Sequence, residues 1–186
     1  MASTSSLDRD EPPGIRAGTE KVGVRGTTGG HEGRMATVST VVAAPAEDVW
    51  AVLADGWTYS GWVVGTVKIR DVEPAWPAAG SRLHHAVGAW PVTLQDETEV
   101  LECEEGRRLR MQARGWPAGE ATVQLTLHAE GASTRVEMYE EPTSGPGAWV
   151  HNRLVDAVGA RRLAETLDRL RRYVEGHGSR RGAGLS

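Results

Sequence analysis

Apolar and polar residues alternate with a period of two through the middle of this chain, which favours a fold built on antiparallel strands. The alternation is sharpest from Arg107 to Gly115, where Leu109, Met111 and Ala113 alternate with arginine and glutamine. Turn signals rich in glycine, proline and acidic residues separate such segments about every ten residues. This pattern is typical of an antiparallel meander with one buried face and one face in water.

Seven segments carry the alternation, and each is a predicted strand: residues 35–42, 66–74, 81–88, 92–103, 107–115, 121–127 and 134–140. After the first strand, Pro45, Glu47 and Asp48 indicate the start of a short helix. Proline fits a first helical turn, and acidic side chains there complement the helix dipole. An aromatic segment at 57–62 predicts a second short helix or turn.

The period becomes helical from Trp149 to Val174, and Pro142 to Gly147 breaks the strand pattern before it. A helix of about 25 residues is about 37 Å long, enough to cross a sheet. The predicted apolar stripe of this helix consists of Val155, Val158, Leu163, Leu167, Leu170 and Val174. The order of elements predicts an α+β helix-grip fold, in which a curved antiparallel sheet of about seven strands wraps around a long C-terminal helix.

Residues 1–34 contain almost no large apolar side chains, so they cannot bury enough surface to offset the entropy of ordering. They are predicted to form a disordered tail. Residues 35–175 form the predicted helix-grip domain, and 176–186 form a predicted flexible tail. A chain of 186 residues suits one domain of this size with tails.

The composition argues against several classes of function. The net charge is −4 and no basic stripe with interleaved aromatics is present, so nucleic-acid binding is not expected. Cys103 is the single cysteine, which rules out an intramolecular disulfide and fits a cytoplasmic location. No apolar run reaches the roughly 18 residues that a transmembrane helix needs. No cofactor signature is visible, and the expected state is a monomer or homodimer.

A metal site is not expected either. His84 and His85 are the two adjacent histidines of the chain. Neighbours on a strand point to opposite faces, so these two side chains cannot share one ion.

Five short segments resemble the START/birch-pollen-allergen superfamily (SRPBCC), and specifically its bacterial polyketide cyclase/dehydrase-like members. They are Ala44–Trp50, Tyr59–Trp62, Pro77–Leu83, Asp96–Val100 and Arg107–Leu109. The resemblance extends over roughly residues 35–174. It implies a cavity between the concave sheet face and the long helix, with a small apolar ligand such as a lipid, sterol or polyketide. It carries over no catalytic residues, because this superfamily places many functions on one scaffold.

Two ionisable side chains, His85 and Asp96, fall on the predicted apolar face of neighbouring strands. An apolar wall raises the pKa of an aspartate and lowers that of a histidine, so the two could act as a general acid and base. Such a pair suits the aldol cyclisation or dehydration of a polyketide-like substrate. In the alternative interpretation, Asp96 caps a turn near the sheet rim and His85 is partly exposed.

The remaining candidate site residues are the side chains predicted to line the cavity or its mouth. They are Trp57, Tyr59, Trp62, Leu83, Val87, Leu94, Thr98, Leu109, Met111, Val123, Leu125, Val136, Met138, Val155 and Val158. The first functional hypothesis is a binder of a small lipid- or polyketide-like molecule in this cavity. The second is a cyclase or dehydratase. The third is a protein-interaction module, which predicts a filled interior and an exposed apolar patch.

Overall fold

The computed structural model describes residues 23–25, 36–89, 92–115, 119–145 and 153–182. Eight antiparallel strands form one sheet in the order β1-β2-β8-β7-β6-β5-β4-β3. The strands are β1 (Gly23–Arg25), β2 (Ala36–Val42), β3 (Thr66–Val72), β4 (Arg82–Ala89), β5 (Val92–Glu104), β6 (Arg108–Gly115), β7 (Gly119–Glu130) and β8 (Ser133–Ser144). The helices are α1 (Ala46–Leu53), α2 (Tyr59–Trp62) and α3 (Arg153–Gly182), with a 3₁₀ turn at Gly56–Thr58.

The seven strands predicted from the alternation are β2 to β8, so the helix-grip prediction is confirmed. Glycines allow two of the tight turns between these strands: Gly106 between β5 and β6, and Gly131 between β7 and β8. Their φ values are 71° and 66°, a conformation that is sterically unfavourable for residues with a side chain. The prediction that Pro142 breaks the last strand is wrong, because β8 continues through it to Ser144. Pro142 pairs with Ala121 beside a register shift, where a missing N–H is tolerated.

The short helices follow β2 as predicted. Pro45 stands at the N-cap of α1 with extended backbone angles, and Glu47 and Asp48 occupy the first turn. Val49 and Leu53 are buried against the core. The Asp55 side chain accepts a hydrogen bond from the backbone N–H of Trp57 and so begins the 3₁₀ turn.

Helix α3 has 30 residues and continues to Gly182, so the prediction of a flexible tail from residue 176 does not match these residues. Its buried stripe is Leu163, Leu167, Leu170 and Val174. Val158 was expected on the same stripe, but it is 62% exposed. Five residues at about 100° each place Val158 about 140° around the helix from Leu163, which explains the error.

The N-terminal segment predicted to be disordered contains β1, which pairs antiparallel with the edge of β2. Strands form where a partner edge is available, and the three-residue segment alone carries no pattern that predicts this. No helix in the described ranges is long and apolar enough to cross a membrane.

Candidate functional site

The inner face of the sheet is tightly packed at one end of the strands and more open at the other. On β4, exposure rises from 1% at Leu83 to a half-buried Val87. On β6, it rises from 0% at Leu109 to a half-buried Ala113. We call the less covered region the open half of the inner face, made of His85, Val87, Leu94, Asp96, Thr98, Ala113 and Ala121.

The other end, which we call the closed half, is covered by the short helices. The rings of Tyr59 and Trp62 lie 4.6 Å apart, and the Tyr59 hydroxyl reaches the sulfur of Met111 at 3.5 Å. Burial raises the pKa of Tyr59 far above its ordinary value, so this hydroxyl stays protonated. The Trp62 indole N–H donates to Thr58 Oγ1 at 3.2 Å. These aromatic side chains therefore stabilise the core.

His85 and Asp96 lie directly opposite each other in the antiparallel pairing of β4 and β5. Paired residues share one face of the sheet, so alternation places both side chains on the inner face. His85 is only 6% exposed, and no group in the described part of the chain hydrogen-bonds its Nδ1 atom. Asp96 is half-buried and accepts a hydrogen bond from the Glu97 backbone N–H at 2.8 Å. The inner face thus presents a buried ring nitrogen beside a carboxylate.

Burial lowers the pKa of His85, because the apolar surroundings disfavour the imidazolium form. The nearby Asp96 carboxylate and the backbone of Leu83 act in the opposite direction and partly offset this effect. His85 is therefore neutral at pH 7. A neutral imidazole can accept a proton or a hydrogen bond through one of its ring nitrogens.

Small residues form the floor of the open half. Ala113 on β6 pairs with Ala121 on β7, and the adjacent inward row pairs Gly115 with Gly119. Thr98 on β5 pairs with Ala113 on the other side. Alanine and glycine leave room above a sheet that larger side chains would fill, so this floor supplies space next to His85 and Asp96.

One inward ion pair was missed by the sequence analysis. Glu140 on β8 continues the inward series of Val136 and Met138, and both of its carboxylate oxygens accept hydrogen bonds from Nη2 of Arg162 on α3. The alternation beyond Met138 could have revealed Glu140. Arg162 could not be found this way, since it lies on α3 and the alternation along a strand carries no information about the helix.

The structure separates the candidate ligand-binding residues into four groups. Those in the open half are Val87, Leu94 and Thr98, with Val123 at its border. Those packed in the closed half are Tyr59, Trp62, Leu83, Leu109, Met111, Leu125, Val136 and Met138. Trp57 and Val158 are exposed and do not line the inner face. Val155 belongs to a part of α3 whose side chains lie outside the described residues.

Two further concavities occur among the described residues. A groove of about 550 Å³ lies on the outer face of β3 to β6, where outward residues line it: Arg70, Asp71, His84, Gln95, Glu97 and Arg114. Asp96, which stands between two of them on β5, also borders this groove. The groove is open and polar, unlike the apolar cavity predicted from the sequence. A cleft of about 160 Å³ lies between α1 and the end of α3, beside Tyr173 and His177. Within the described ranges, no three histidine, cysteine or acidic side chains gather as a metal site would require.

Comparison with solved structures shows the same fold. NE0264 from Nitrosomonas europaea is 14% identical, with a TM-score of 0.62, and the match covers 78% of this chain and 96% of that one. CalU16 from Micromonospora echinospora is 20% identical with a TM-score of 0.59, covering 87% and 78%. Ara h 8.0201 is 10% identical with a TM-score of 0.59, covering 75% and 96%.

No curated protein matches this chain. A family model described as "Polyketide cyclase / dehydrase and lipid transport" matches residues 35–175, which is most of the chain. The chain therefore belongs to this family, as its resemblance to the polyketide cyclase/dehydrase-like members of the SRPBCC superfamily predicted.

Proposed function

We propose that the open half of the inner face binds a small, largely apolar molecule, lipid- or polyketide-like, with His85 as its main polar contact. The observation that carries this proposal is the His85 Nδ1 atom, which is buried without a partner beside a floor of small residues. A buried polar atom without a hydrogen bond costs on the order of 1–3 kcal/mol. A ligand would remove that cost by hydrogen-bonding to Nδ1. A carbonyl oxygen suits the tautomer with a proton on Nδ1, and a hydroxyl group suits the tautomer without one.

The surrounding residues suit an apolar body. Val87 and Leu94 are directly paired across β4 and β5, two residues further along the strands from His85 and Asp96. Ala113 and Ala121 leave space on the other side of His85 and Asp96, in the row that contains Thr98. A ligand would therefore place its apolar surface on the valine, leucine and alanine side chains and its polar group near His85.

The first experiment fills the space above Ala121 with a larger side chain. We expect Ala121→Leu to weaken binding of the neutral dye Nile red at least tenfold, because the added side chain occupies the floor of the open half. Ala129→Leu, on an exposed position of the same strand, is the matched control and should bind as the wild type does. Equal binding by both variants, measured by fluorescence titration, would place the ligand elsewhere. Native mass spectrometry of protein purified from its own host would identify the natural ligand.

A second candidate function is a cyclase or dehydratase, and the His85–Asp96 pairing favours it. A neutral His85 could remove a proton between two ketone groups, and the resulting enolate would attack a second carbonyl to form a carbon–carbon bond. The new alkoxide would take the proton back, and loss of water would follow. Asp96 would orient the imidazole and stabilise its protonated form.

Turnover of a linear poly-β-ketone separates this candidate from simple binding. We expect His85→Gln and Asp96→Asn each to slow product formation by about 100-fold or more, while affinity changes little. His84→Gln and Glu97→Gln change the outward neighbours on the same strands and should keep full turnover. Unchanged turnover in the two inner-face variants would contradict the catalytic assignment and leave binding as the function.

A further inference from the structure

Thr98 places a hydroxyl group on the inner face of β5, beside the floor of the open half. Its side chain is only 7% exposed. It pairs with Leu83 on β4 and with the small residue Ala113 on β6. No group in the part of the chain that the structure describes hydrogen-bonds this hydroxyl. Thr98 is therefore a second polar group of the inner face, besides His85, whose hydrogen-bonding capacity the fold leaves unused.

Other buried threonines use their hydroxyl groups within the protein. The hydroxyl of Thr134 donates to the Ala44 carbonyl at 2.8 Å, and that of Thr166 accepts from the Val64 backbone N–H at 3.3 Å. The Thr98 oxygen, in contrast, has no such partner among the described residues, and it is also not sealed from the surface. It therefore borders space that water or a ligand can enter.

Thr98 is the diagonal neighbour of His85 across β4 and β5, because His85 pairs with Asp96 and Leu83 pairs with Thr98. Diagonal neighbours on one face of a sheet have Cβ atoms less than about 8 Å apart. Two hydrogen bonds of about 2.8 Å that meet at one oxygen span up to roughly 5.5 Å. The two side chains bridge the rest of the separation, so one ligand oxygen can contact both His85 Nδ1 and Thr98 Oγ1.

We propose that Thr98 is a specificity-determining residue, which together with His85 holds one hydroxyl or carbonyl oxygen of the ligand. This inference rests on the function proposed above and specifies its ligand class: an apolar molecule with an oxygen group on the part that enters the open half, as opposed to a plain hydrocarbon chain. A ligand hydroxyl can donate to one of the two residues and accept from the other. A hydrocarbon in the same place would leave both polar atoms dry and unpaired, which is unfavourable.

Two probes of equal size test the inference: 2-naphthalenemethanol, which carries one hydroxyl group, and 2-ethylnaphthalene, in which a methyl group replaces that hydroxyl. Each is titrated against bound Nile red to give its dissociation constant for every variant. Thr98→Val replaces the hydroxyl by a methyl group with little change of shape. We expect it to weaken binding of the alcohol by about three- to tenfold, as the loss of one hydrogen bond implies. Binding of 2-ethylnaphthalene should stay the same or become tighter.

Two further variants separate a contact with the ligand from a structural role. Thr98→Ser keeps the hydroxyl and should keep the preference of the wild type for the alcohol. Thr40→Val is the matched control, because Thr40 is also inward and 6% exposed but lies on β2, with β8, β7 and β6 between it and β5. It should bind both probes as the wild type does.

His85→Leu tests whether the oxygen is shared. We expect this variant also to weaken binding of the alcohol more than that of 2-ethylnaphthalene. The alcohol has a single oxygen, so a selective loss in both Thr98→Val and His85→Leu means that the two side chains meet at that oxygen.

Three outcomes contradict the inference. The first is unchanged affinity of Thr98→Val for the alcohol. The second is a loss in Thr98→Ser as large as that in Thr98→Val, or an equal loss in Thr40→Val. The third is a selective loss in Thr98→Val without one in His85→Leu. Failure of the wild type to bind Nile red and both probes is a different result, because it contradicts the proposed function itself, and the role of Thr98 falls with it.

Discussion

At the residue scale, His85 connects the site to the stability of the fold. Burial lowers its pKa below the ordinary value of 6.5, so the unfolded chain takes up a proton at a higher pH than the folded protein does. Stability therefore falls as the pH drops through the range just above and below 6.5, and the loss ends once the folded protein is also protonated. Above this range, the contribution is fully present.

We expect His85→Gln to remove this part of the pH dependence. The free energy of unfolding of the wild type should fall more between pH 8 and pH 5 than that of the variant, as measured by urea denaturation at each pH. His84→Gln is the control on the outer face, and its pH dependence should follow that of the wild type. A parallel fall in the wild type and His85→Gln would show that His85 titrates alike in the folded and unfolded states.

Alternation was enough to predict that His85 and Asp96 share the inner face, because β4 and β5 pair without a register shift from Arg82 to Ala89. The same reasoning fails where a strand bulges. The shift between Val100 and Glu102 leaves Leu101 outside the regular pairing and turns Cys103 towards the core. The orphaned Nδ1 atom and the Glu140–Arg162 pair depend on distances between separate elements, which a single sequence does not contain.

At the element scale, the start of β7 depends on a glycine that no other residue can replace without strain. Gly119 has a φ of 109°, and a Cβ atom there would lie 1.9 Å from the backbone oxygen of Ser144. A side chain would therefore push β7 and β8 apart where they border the open half. The register shift between Glu120 and Ala121 lies at the same place.

We expect Gly119→Ala to lower the free energy of unfolding by more than about 3 kcal/mol, since strain and a backbone clash act together. Gly131→Ala is the matched control, because Gly131 also has a positive φ but meets no atom within 4 Å. That variant should lose only about 1–2 kcal/mol. Equal losses in chemical denaturation would show that the β7–β8 contact can relax around an added methyl group.

Element types were predicted better than their ends. Strong two-residue and helical periods mark β2 to β8 and α3, whereas the ends depend on tertiary pairing. Strand β8 passes Pro142 because a partner strand is present, and α3 passes residue 176 without any further buried apolar residue among those described. β1 exists only as a pairing with β2, so its three residues carry no local signal.

At the scale of the whole molecule, the covering of the inner face is uneven. Helix α3 makes its main contacts with β2 and α2 and fewer with α1 and β8, while α1 and α2 cover the closed half. The open half on β4 to β7 keeps half-buried apolar side chains, among them Val87 and Leu94. The fold class, and which residues face the inner side of the sheet, were predictable from the sequence. The uneven covering was not, because it depends on how the helices lie across the sheet.

An incompletely covered core should be stabilised by the molecule that covers it. A ligand that binds only the folded protein, present at 100 times its dissociation constant, adds about 2.7 kcal/mol to the free energy of unfolding. For a chain of this size, we expect 2-naphthalenemethanol at that concentration to raise the melting temperature by roughly 5–10 °C in calorimetry. Ala121→Leu should show a much smaller rise at the same concentration, because the added side chain already covers the floor. A wild-type melting temperature that does not respond, or an equal rise in Ala121→Leu, would mean that the ligand does not complete this part of the core.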